Sequence, residues 1–447
     1  MDYRDKTVLV VGAGMSGIDA CRFLLNQGAR VILNDSKSRE RISEAALELE
    51  KQGVELRLGN LLPERVDWQL VVASPGVPLG LPIFQMSREA GVEVIGEIEL
   101  AWREAKRPFI GITGTNGKTT TTALTAYLLE HQNYDILLGG NIGHPLVSSI
   151  GEFSGDYVVA ELSSFQLESC QSFRPHIAAF LNLSPDHLDR HGSLENYGAA
   201  KAKIFARQQA DDIAILNWDD EYLRKLSEQL SGQLRWFSLR EPVENGMFFQ
   251  QGQVYFVREG RSVYDFPASD IYIKGRHNIA NAMAASIAAW EAGAAPEAIA
   301  QGLRTFPGVP HRLEFVCERE GVSYVNDSKG TNPDSTTQAL LAYEQPIIIL
   351  LGGRNKGCDM VPLMGLVLER ARLAILFGEA TAELKKAADT VGMKSYLIAD
   401  DFTHAVHLAQ QQAVAGDVVV LSPACTSWDA FPNYEVRGDL FKKLVRE

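Results

Sequence analysis

Apolar positions along the chain gather into short, nearly continuous runs, each closed by a Gly, Ser or Asp loop and followed by a stretch with helical spacing. The runs fall at 7–11, 31–33, 70–73, 109–112, 157–160, 177–181, 347–351, 374–377 and 418–421. A strand with one wet face would alternate apolar and polar residues. Continuous runs belong to strands buried on both faces, and they predict parallel sheets covered by helices, an α/β class. In open sheets of this kind ligands bind beyond the carboxyl ends of the strands, so chemistry is sought in the loops that follow the runs. One boundary is placed at Gly96, before a helical stretch at 97–106, and another within Phe306-Pro-Gly-Val-Pro310, where two prolines and a glycine interrupt regular structure. The pieces are 1–96, 97–308 and 309–447, and 447 residues at roughly 150 per domain agree with three.

Composition changes this picture little: 46% hydrophobic residues are ordinary for a chain with full cores. The net charge of −13, spread without single-sign blocks, makes nucleic acid a poor main partner. A polyanionic substrate would then need locally placed Lys, Arg and helix N-termini. The five cysteines form no C-x-x-C, which suggests neither a disulfide framework nor a zinc knuckle and fits a reducing cytoplasm. The charged start gives way to an apolar run that stops at Gly12, too short for a signal peptide, and no run approaches the roughly 20 apolar residues of a membrane span. A cytoplasmic protein without membrane insertion is expected.

Two glycine-rich loops follow strands. Gly12-Ala-Gly-Met-Ser-Gly17, with Asp35 closing the next strand, is a dinucleotide fingerprint; alone it favours NAD, but its physics suits any nucleotide diphosphate. The roughly 100 residues before the next loop are short for a complete dinucleotide fold. The second loop, 113–119, offers Gly114, Thr115, Asn116, Gly117, Lys118, Thr119 and Thr120 to a nucleoside triphosphate. Its backbone N–H groups cradle phosphates, Lys118 reaches the β and γ groups, and Thr119 holds Mg²⁺. Ile112 stands where the phosphate-loop pattern has its first Gly, so the loop is a variant.

Downstream, Glu161 ends an apolar strand, where a carboxylate reaches a phosphate-bound Mg²⁺; a capping role is its plain alternative. Asp186-His-Leu-Asp-Arg-His191 places His187 and His191 at i, i+4, but Leu188 replaces the Glu of a zinc protease. One histidine as a ligand to Mg²⁺ or Mn²⁺, or two surface histidines, both remain open. Lys201 and Lys203 read as solvated helix lysines. In the last piece three strand-end loops carry Asp327, Lys329 and Thr331, then Lys356, then Ser427 with Asp429 and Tyr434 behind it. An ammonium, hydroxyls and N–H donors suit a small dianion, although any single loop is also ordinary turn chemistry.

The segments T-G-T-N-G-K-T, E-L-S-S-F-Q-L-E, D-H-L-D-R, G-R-H-N-I-A-N-A, P-H-R-L-E, N-D-S-K-G-T-N, L-S-P-A-C-T-S-W-D-A-F and N-Y-E-V-R-G resemble the Mur ligase family over essentially the whole chain, and its D-glutamate-adding branch most. The resemblance implies Rossmann-like N- and C-terminal domains flanking a central P-loop ATPase-type domain. It implies ATP with two Mg²⁺ (Mn²⁺ as a substitute), UDP-N-acetylmuramoyl-L-alanine and D-glutamate as substrates, an acyl-phosphate route, a monomer, and a role in peptidoglycan precursor synthesis. By motif, Met15, Ser16, Asp35, Ser36, Lys37, Gly76 and Asn141 would face the UDP substrate. Ser36 and Lys37 stand where the family member compared carries Thr and Arg, and Lys lacks the bidentate fork of Arg. Asn278, Asn281, Arg312 and Asp327 would meet ATP beside the phosphate loop. Lys118, Glu161, His187 and Lys201 would be catalytic, the last as a carbamate that joins Thr119, Glu161 and His187 as a metal ligand. Lys329, Thr331, Lys356, Ser427 and Tyr434, the last a Tyr in a Phe position, would surround D-glutamate. Inward closure of the C-terminal piece, with hinges near Gly96 and Gly308, is expected. Other readings are another Mur or folylpolyglutamate-synthase-like ligase, an NAD-dependent dehydrogenase, which leaves the phosphate loop idle, and a non-catalytic nucleotide-binding module.

Overall fold

The structure is a computed structural model that describes residues 2–59 and 65–447. Three sheets organise it, and the continuous apolar runs form their central strands. The first sheet is five-stranded and wholly parallel, in the order Glu55–Leu58, Arg30–Asp35, Thr7–Val11, Leu70–Ala73, Glu93–Gly96. Val8 pairs with Val31 on one side and Leu70 on the other, and all three side chains are buried. The chain steps outward from Thr7–Val11 to Glu55–Leu58, then crosses to Leu70–Ala73 on the other side of Thr7–Val11, so the crevice past the carboxyl ends of Thr7–Val11 and Leu70–Ala73 is a topological switch point.

The second sheet has nine strands. Its parallel part places Phe109–Thr113 between Tyr157–Glu161 and Ile177–Phe180, with Ile136–Gly140, Ile213–Asn217, Gln233–Ser238 and Gly246–Gln250 beyond. Two further strands, Gln253–Arg258 and Arg261–Pro267, extend it antiparallel. The third sheet, six-stranded, runs Glu314–Arg319, Val322–Asn326, Val418–Ala424, Ile347–Gly352, Ala371–Phe377, Tyr396–Ile398, antiparallel only at its first pair.

Residues 1–270 and 280–304 form one compact unit, and 271–279 with 305–447 a second. The first and second sheets share a unit because one apolar core runs through both, from Val8, Leu24 and Val72 to Leu146, Phe173 and Phe205. The second unit has its own core on both faces of the third sheet, including Leu351, Met364 and Leu376 on one side and Leu350, Phe402 and Phe441 on the other. The α/β reading holds, and no helix among the described residues is long and apolar enough to cross a membrane.

Candidate functional site

At the switch point of the first sheet, the glycines of 12–17 each answer a local demand. Gly12 has φ 100°, and a Cβ on Gly17 would stand 1.9 Å from the Gly12 carbonyl oxygen. The backbone at Gly14 faces open space, with nothing within 4 Å of a Cβ position, so a ligand can come close to the start of the helix Met15–Asn26. Ser74 Oγ donates to Gly12 O at 2.9 Å and fixes the turn against the neighbouring strand end. Asp35 accepts from Ala13 N at 2.7 Å and from Lys37 N at 2.8 Å. Its carboxylate therefore builds the turn from within. Met15, Ser36 and Lys37 are exposed around this crevice, Ser16 is half-buried, and Gly76 is open.

The phosphate loop closes the strand Phe109–Thr113 and opens the helix Lys118–Glu130, whose first turn points its N–H groups at the loop. Gly117 sits at φ 81°, and a Cβ there would come within 2.2 Å of Asn281 Oδ1. Asn182 Oδ1 accepts from Asn116 N at 2.9 Å while its Nδ2 donates to Asn116 O at 3.0 Å; Thr115 Oγ1 donates to Ser184 O at 3.2 Å. The loop is thus shaped by the residues after Ile177–Phe180, and by Asn281 on the helix Arg276–Glu291.

Lys118 Nζ curls back onto the carbonyl oxygens of Gly114 at 2.9 Å and Thr115 at 2.7 Å. Lys201 Nζ donates to the same Gly114 oxygen at 2.7 Å and lies 4.5 Å from the centroid of the Tyr197 ring. Lys201 is not the solvated helix lysine that its sequence suggests: it is 1% exposed. Burial, and then the Lys118 ammonium, hold its amine well below the ordinary lysine range, against the opposing pull of Asp186 and Glu161. Lys203, its neighbour, does reach the surface and donates to Glu168 O at 2.8 Å.

Glu161 is buried at the end of Tyr157–Glu161. Its Oε1 accepts from Asn141 Nδ2 at 2.8 Å, whereas Oε2 is buried with no hydrogen-bond partner. An orphaned carboxylate oxygen beside a phosphate loop is costly in isolation and matches what a hard cation needs. His187, at φ 52°, caps the short helix Leu188–His191 and packs edge-on to Phe165 with centroids 5.0 Å apart. A non-glycine residue held in that region is strained, and such strain concentrates at functional sites. His191 is not a surface histidine: it is buried, bonded to Ser164 Oγ at 3.0 Å and Glu168 at 3.3 Å, and stacked on Phe165. Among the described residues no three His, Cys, Asp or Glu side chains form a ready metal cluster.

The second unit gathers its candidates where three strand ends converge. Asp327, fully buried, accepts from Ser422 Oγ at 2.7 Å and Leu313 N at 3.2 Å, and burial pushes its carboxyl up to about 6. Arg312 is the first of the groups that counter this. Lys329 lies 5.4 Å from the centroid of the Tyr434 ring, Thr331 is half-buried on the same loop, and Lys356 is exposed after Ile347–Gly352. Ser427 is buried. Asn278 donates to Lys274 O at 2.8 Å. The residues expected around ATP are therefore divided: the phosphate loop and Asn281 belong to the first unit, Asn278, Arg312 and Asp327 to the second.

Sequence reasoning missed Asn182, Ser74, Tyr197 and Arg437. The first two lie within two residues of strand ends, the positional signal already in use. Arg437 sits inside the quoted N-Y-E-V-R-G segment without an assigned role.

Comparison with known proteins adds ancestry to this geometry. Residues 6–96 match the Mur ligase MurD-like N-terminal domain, 112–289 the Mur ligase middle domain, and 311–425 the Mur ligase glutamate ligase domain. The chain is 45% identical to UDP-N-acetylmuramoylalanine--D-glutamate ligase of Desulfitobacterium hafniense, over 100% of this chain and 98% of that protein. It is 42% identical to the protein of the same name from Pelotomaculum thermopropionicum, over 99% and 98%. Among solved structures, MurF ligase from Thermotoga maritima in complex with ADP superposes with a TM-score of 0.63 at 19% identity, covering 100% of this chain and 96% of that one. UDP-N-acetylmuramate-alanine ligase MurC from Thermotoga maritima gives 0.61 at 18%, covering 99% of both. At those identities the structures speak for the fold.

Proposed function

The chain belongs to the Mur ligase family, and from that premise we propose that it is an ATP-dependent amide ligase joining D-glutamate to UDP-N-acetylmuramoyl-L-alanine in peptidoglycan precursor synthesis. Full-length identity to relatives bearing that activity in their names supports the choice of amino acid. The observation that carries the chemistry is the cluster at Gly114: two lysine side chains donating to one carbonyl oxygen, beside a buried carboxylate with an unused oxygen.

A carboxylate is a poor electrophile, and activation by phosphoryl transfer removes that obstacle. A substrate carboxylate oxygen forms a bond to the γ-phosphorus as the bond to the β-bridging oxygen breaks, releasing ADP. The D-glutamate amine then bonds to the acyl carbon, orthophosphate departs, and a proton is lost to give the amide. Lys118 needs only to exchange its two loop carbonyls for phosphate oxygens to neutralise the charge in transfer. Loop N–H groups and the helix beginning at Lys118 hold the phosphates. Glu161 Oε2, Thr119 and His187 would hold Mg²⁺, and so would Lys201 once carbamylated; the bound metal supplies further charge neutralisation at the phosphoryl oxygens. Lys201 is suited to that modification because its amine is buried and biased toward the neutral, nucleophilic form. Asn141 fixes Glu161, and by motif it would face the UDP substrate. Lys329, Thr331, Lys356, Ser427 and Tyr434 bind the amino acid, while Met15, Ser16, Ser36, Lys37 and Gly76 line the diphosphate crevice, with Asp35 shaping it.

Phosphate release measured with UDP-N-acetylmuramoyl-L-alanine and ATP, against a panel of D-Glu, L-Glu, L-Ala, L-Lys and diaminopimelate, tests the reading. Release with D-Glu is expected; release with another amino acid and none with D-Glu would refute the substrate assignment.

A further inference from the structure

Arg437 is buried to 0% exposure in the first turn of the helix Tyr434–Arg446, and none of its hydrogen-bond partners is a carboxylate. Each of these facts is unfavourable alone. A desolvated guanidinium is costly, and a cation at a helix N-terminus opposes the helix dipole. Burial accordingly lowers its pKa to about 10, which still leaves it charged at neutral pH.

The position of its donors explains why the fold carries this cost. Nε donates to Ser328 Oγ at 3.0 Å, and Nη2 to Ser328 O at 2.9 Å and Cys425 O at 3.3 Å. Nη1 reaches Gly352 O at 3.5 Å. Those four acceptor atoms lie at three different strand ends: on Ser328 and Cys425, just past Val322–Asn326 and Val418–Ala424, and on Gly352, the last residue of Ile347–Gly352. Ser328 Oγ in turn donates to Tyr434 O at 2.8 Å, which ties the helix start into the same knot. The loops are fitted to one another around the guanidinium: a Cβ on Gly353 would meet Thr426 O at 2.1 Å and Arg437 Nη1 at 3.1 Å. Ala424 accepts a left-handed φ of 61° and donates its N–H to Gly330 O at 2.9 Å. These loops and this helix start carry Lys329, Thr331, Lys356, Ser427 and Tyr434.

We infer that Arg437 is the positioning residue of the amino-acid site, a buried fork that sets the three loops and the helix start in register before the amino acid arrives. The inference rests on the reading that these five side chains bind the incoming amino acid. A planar fork with five donors can serve acceptors in several directions at once; a lysine ammonium offers one point, and an apolar isostere removes all of these hydrogen bonds. Arg437 touches no reacting atom in this scheme. Its loss is felt as displaced ligands for the amino acid, where a misplacement of about 1 Å costs on the order of 100-fold.

The test is a steady-state comparison of the full-length protein with Arg437→Met, Arg437→Lys and Ser328→Ala, with a thermal unfolding midpoint for each. Arg437→Met is expected to raise the KM for D-glutamate on the order of 30-fold or more, with the KM for UDP-N-acetylmuramoyl-L-alanine within about threefold. Arg437→Lys should fall between Met and wild type, and Ser328→Ala should give a smaller rise in the same KM. A residue that only stabilises the fold would lower the midpoint and the active fraction while leaving both KM values in place, and that result overturns the inference, as does an equal rise in both. If the Arg437 variants do not fold, Ser328→Ala decides: an unchanged amino-acid KM at a wild-type midpoint overturns it. If wild-type protein turns over with another amino acid and not with D-glutamate, the substrate assignment falls, and the KM comparison is made with the amino acid that is used.

Discussion

Two lysine amino groups converge on the Gly114 carbonyl oxygen, and burial, then the charge of Lys118, sets Lys201 apart from its neighbour. Lys118 is half-buried on the phosphate loop, where the proposed reaction would use it against phosphate, whereas Lys201, sealed under Tyr197, is driven toward its neutral amine. A neutral buried amine is the form that adds CO₂. Stripping CO₂ from the assay should therefore lower turnover, bicarbonate should restore it, and intact-protein mass spectrometry under mild conditions should find a carboxyl increment that Lys201→Met lacks. Turnover indifferent to CO₂, with no increment, would remove the carbamate from the scheme. Lys118→Ala is expected to abolish turnover while calorimetric binding of the UDP substrate survives, because the crevice proposed for the diphosphate is built from 12–17, 35–37 and 74–77, away from Lys118 in the chain. The Lys201 environment was not legible in the sequence: a helix lysine is ordinarily solvated, and only the packing of Leu194–Ala202 against the phosphate loop buries this one.

Elements show a clearer division between what sequence reveals and what it hides. Strands such as Phe109–Thr113 and Ile347–Gly352 were legible because burial on both faces leaves an unbroken apolar run. The antiparallel additions Gln253–Arg258, Arg261–Pro267 and Glu314–Arg319 were not, since one face is wet and their polar residues dilute the pattern. The phosphate loop was legible from its glycines and Lys118; its partner Asn182 had only its place two residues past a strand end to mark it, because a side chain that binds backbone leaves no motif. Close backbone approach can be tested directly. Gly353→Ala would set a methyl 2.1 Å from Thr426 O at φ 123°, so urea unfolding should show a loss of about 2 kcal/mol or more. A near-neutral result would mean that the two loops are not locked as described.

For the whole molecule, stability carries a pH signature at Glu97. This carboxyl opens the helix Glu97–Glu104, accepts from Val147 N at 2.9 Å, and leaves Oε2 buried and unpartnered. Burial raises it from 4.5 to about 7. The folded state thus holds a proton that the unfolded chain has released across that interval. The cost is absent below pH 4.5, grows as pH rises, and is complete above about 7. Relative to Glu97→Gln, wild-type unfolding free energy should fall by on the order of 3 kcal/mol across that window. A difference that is flat with pH would contradict it. Under the proposed assignment, an acyl phosphate made at residues of the first unit would have to meet an amine bound by residues of the second, so solution scattering should change when an ATP analogue and both substrates are present; identical curves would contradict the closure expected from the sequence.

The central claim concerns the order of bond making: the substrate carboxylate becomes an acyl phosphate before nitrogen arrives. It is tested most directly by following ¹⁸O placed in the carboxylate of UDP-N-acetylmuramoyl-L-alanine through turnover with ATP and D-glutamate. The account predicts one labelled oxygen in the orthophosphate released for each amide formed from a doubly labelled carboxylate. Unlabelled orthophosphate alongside normal amide formation would contradict it.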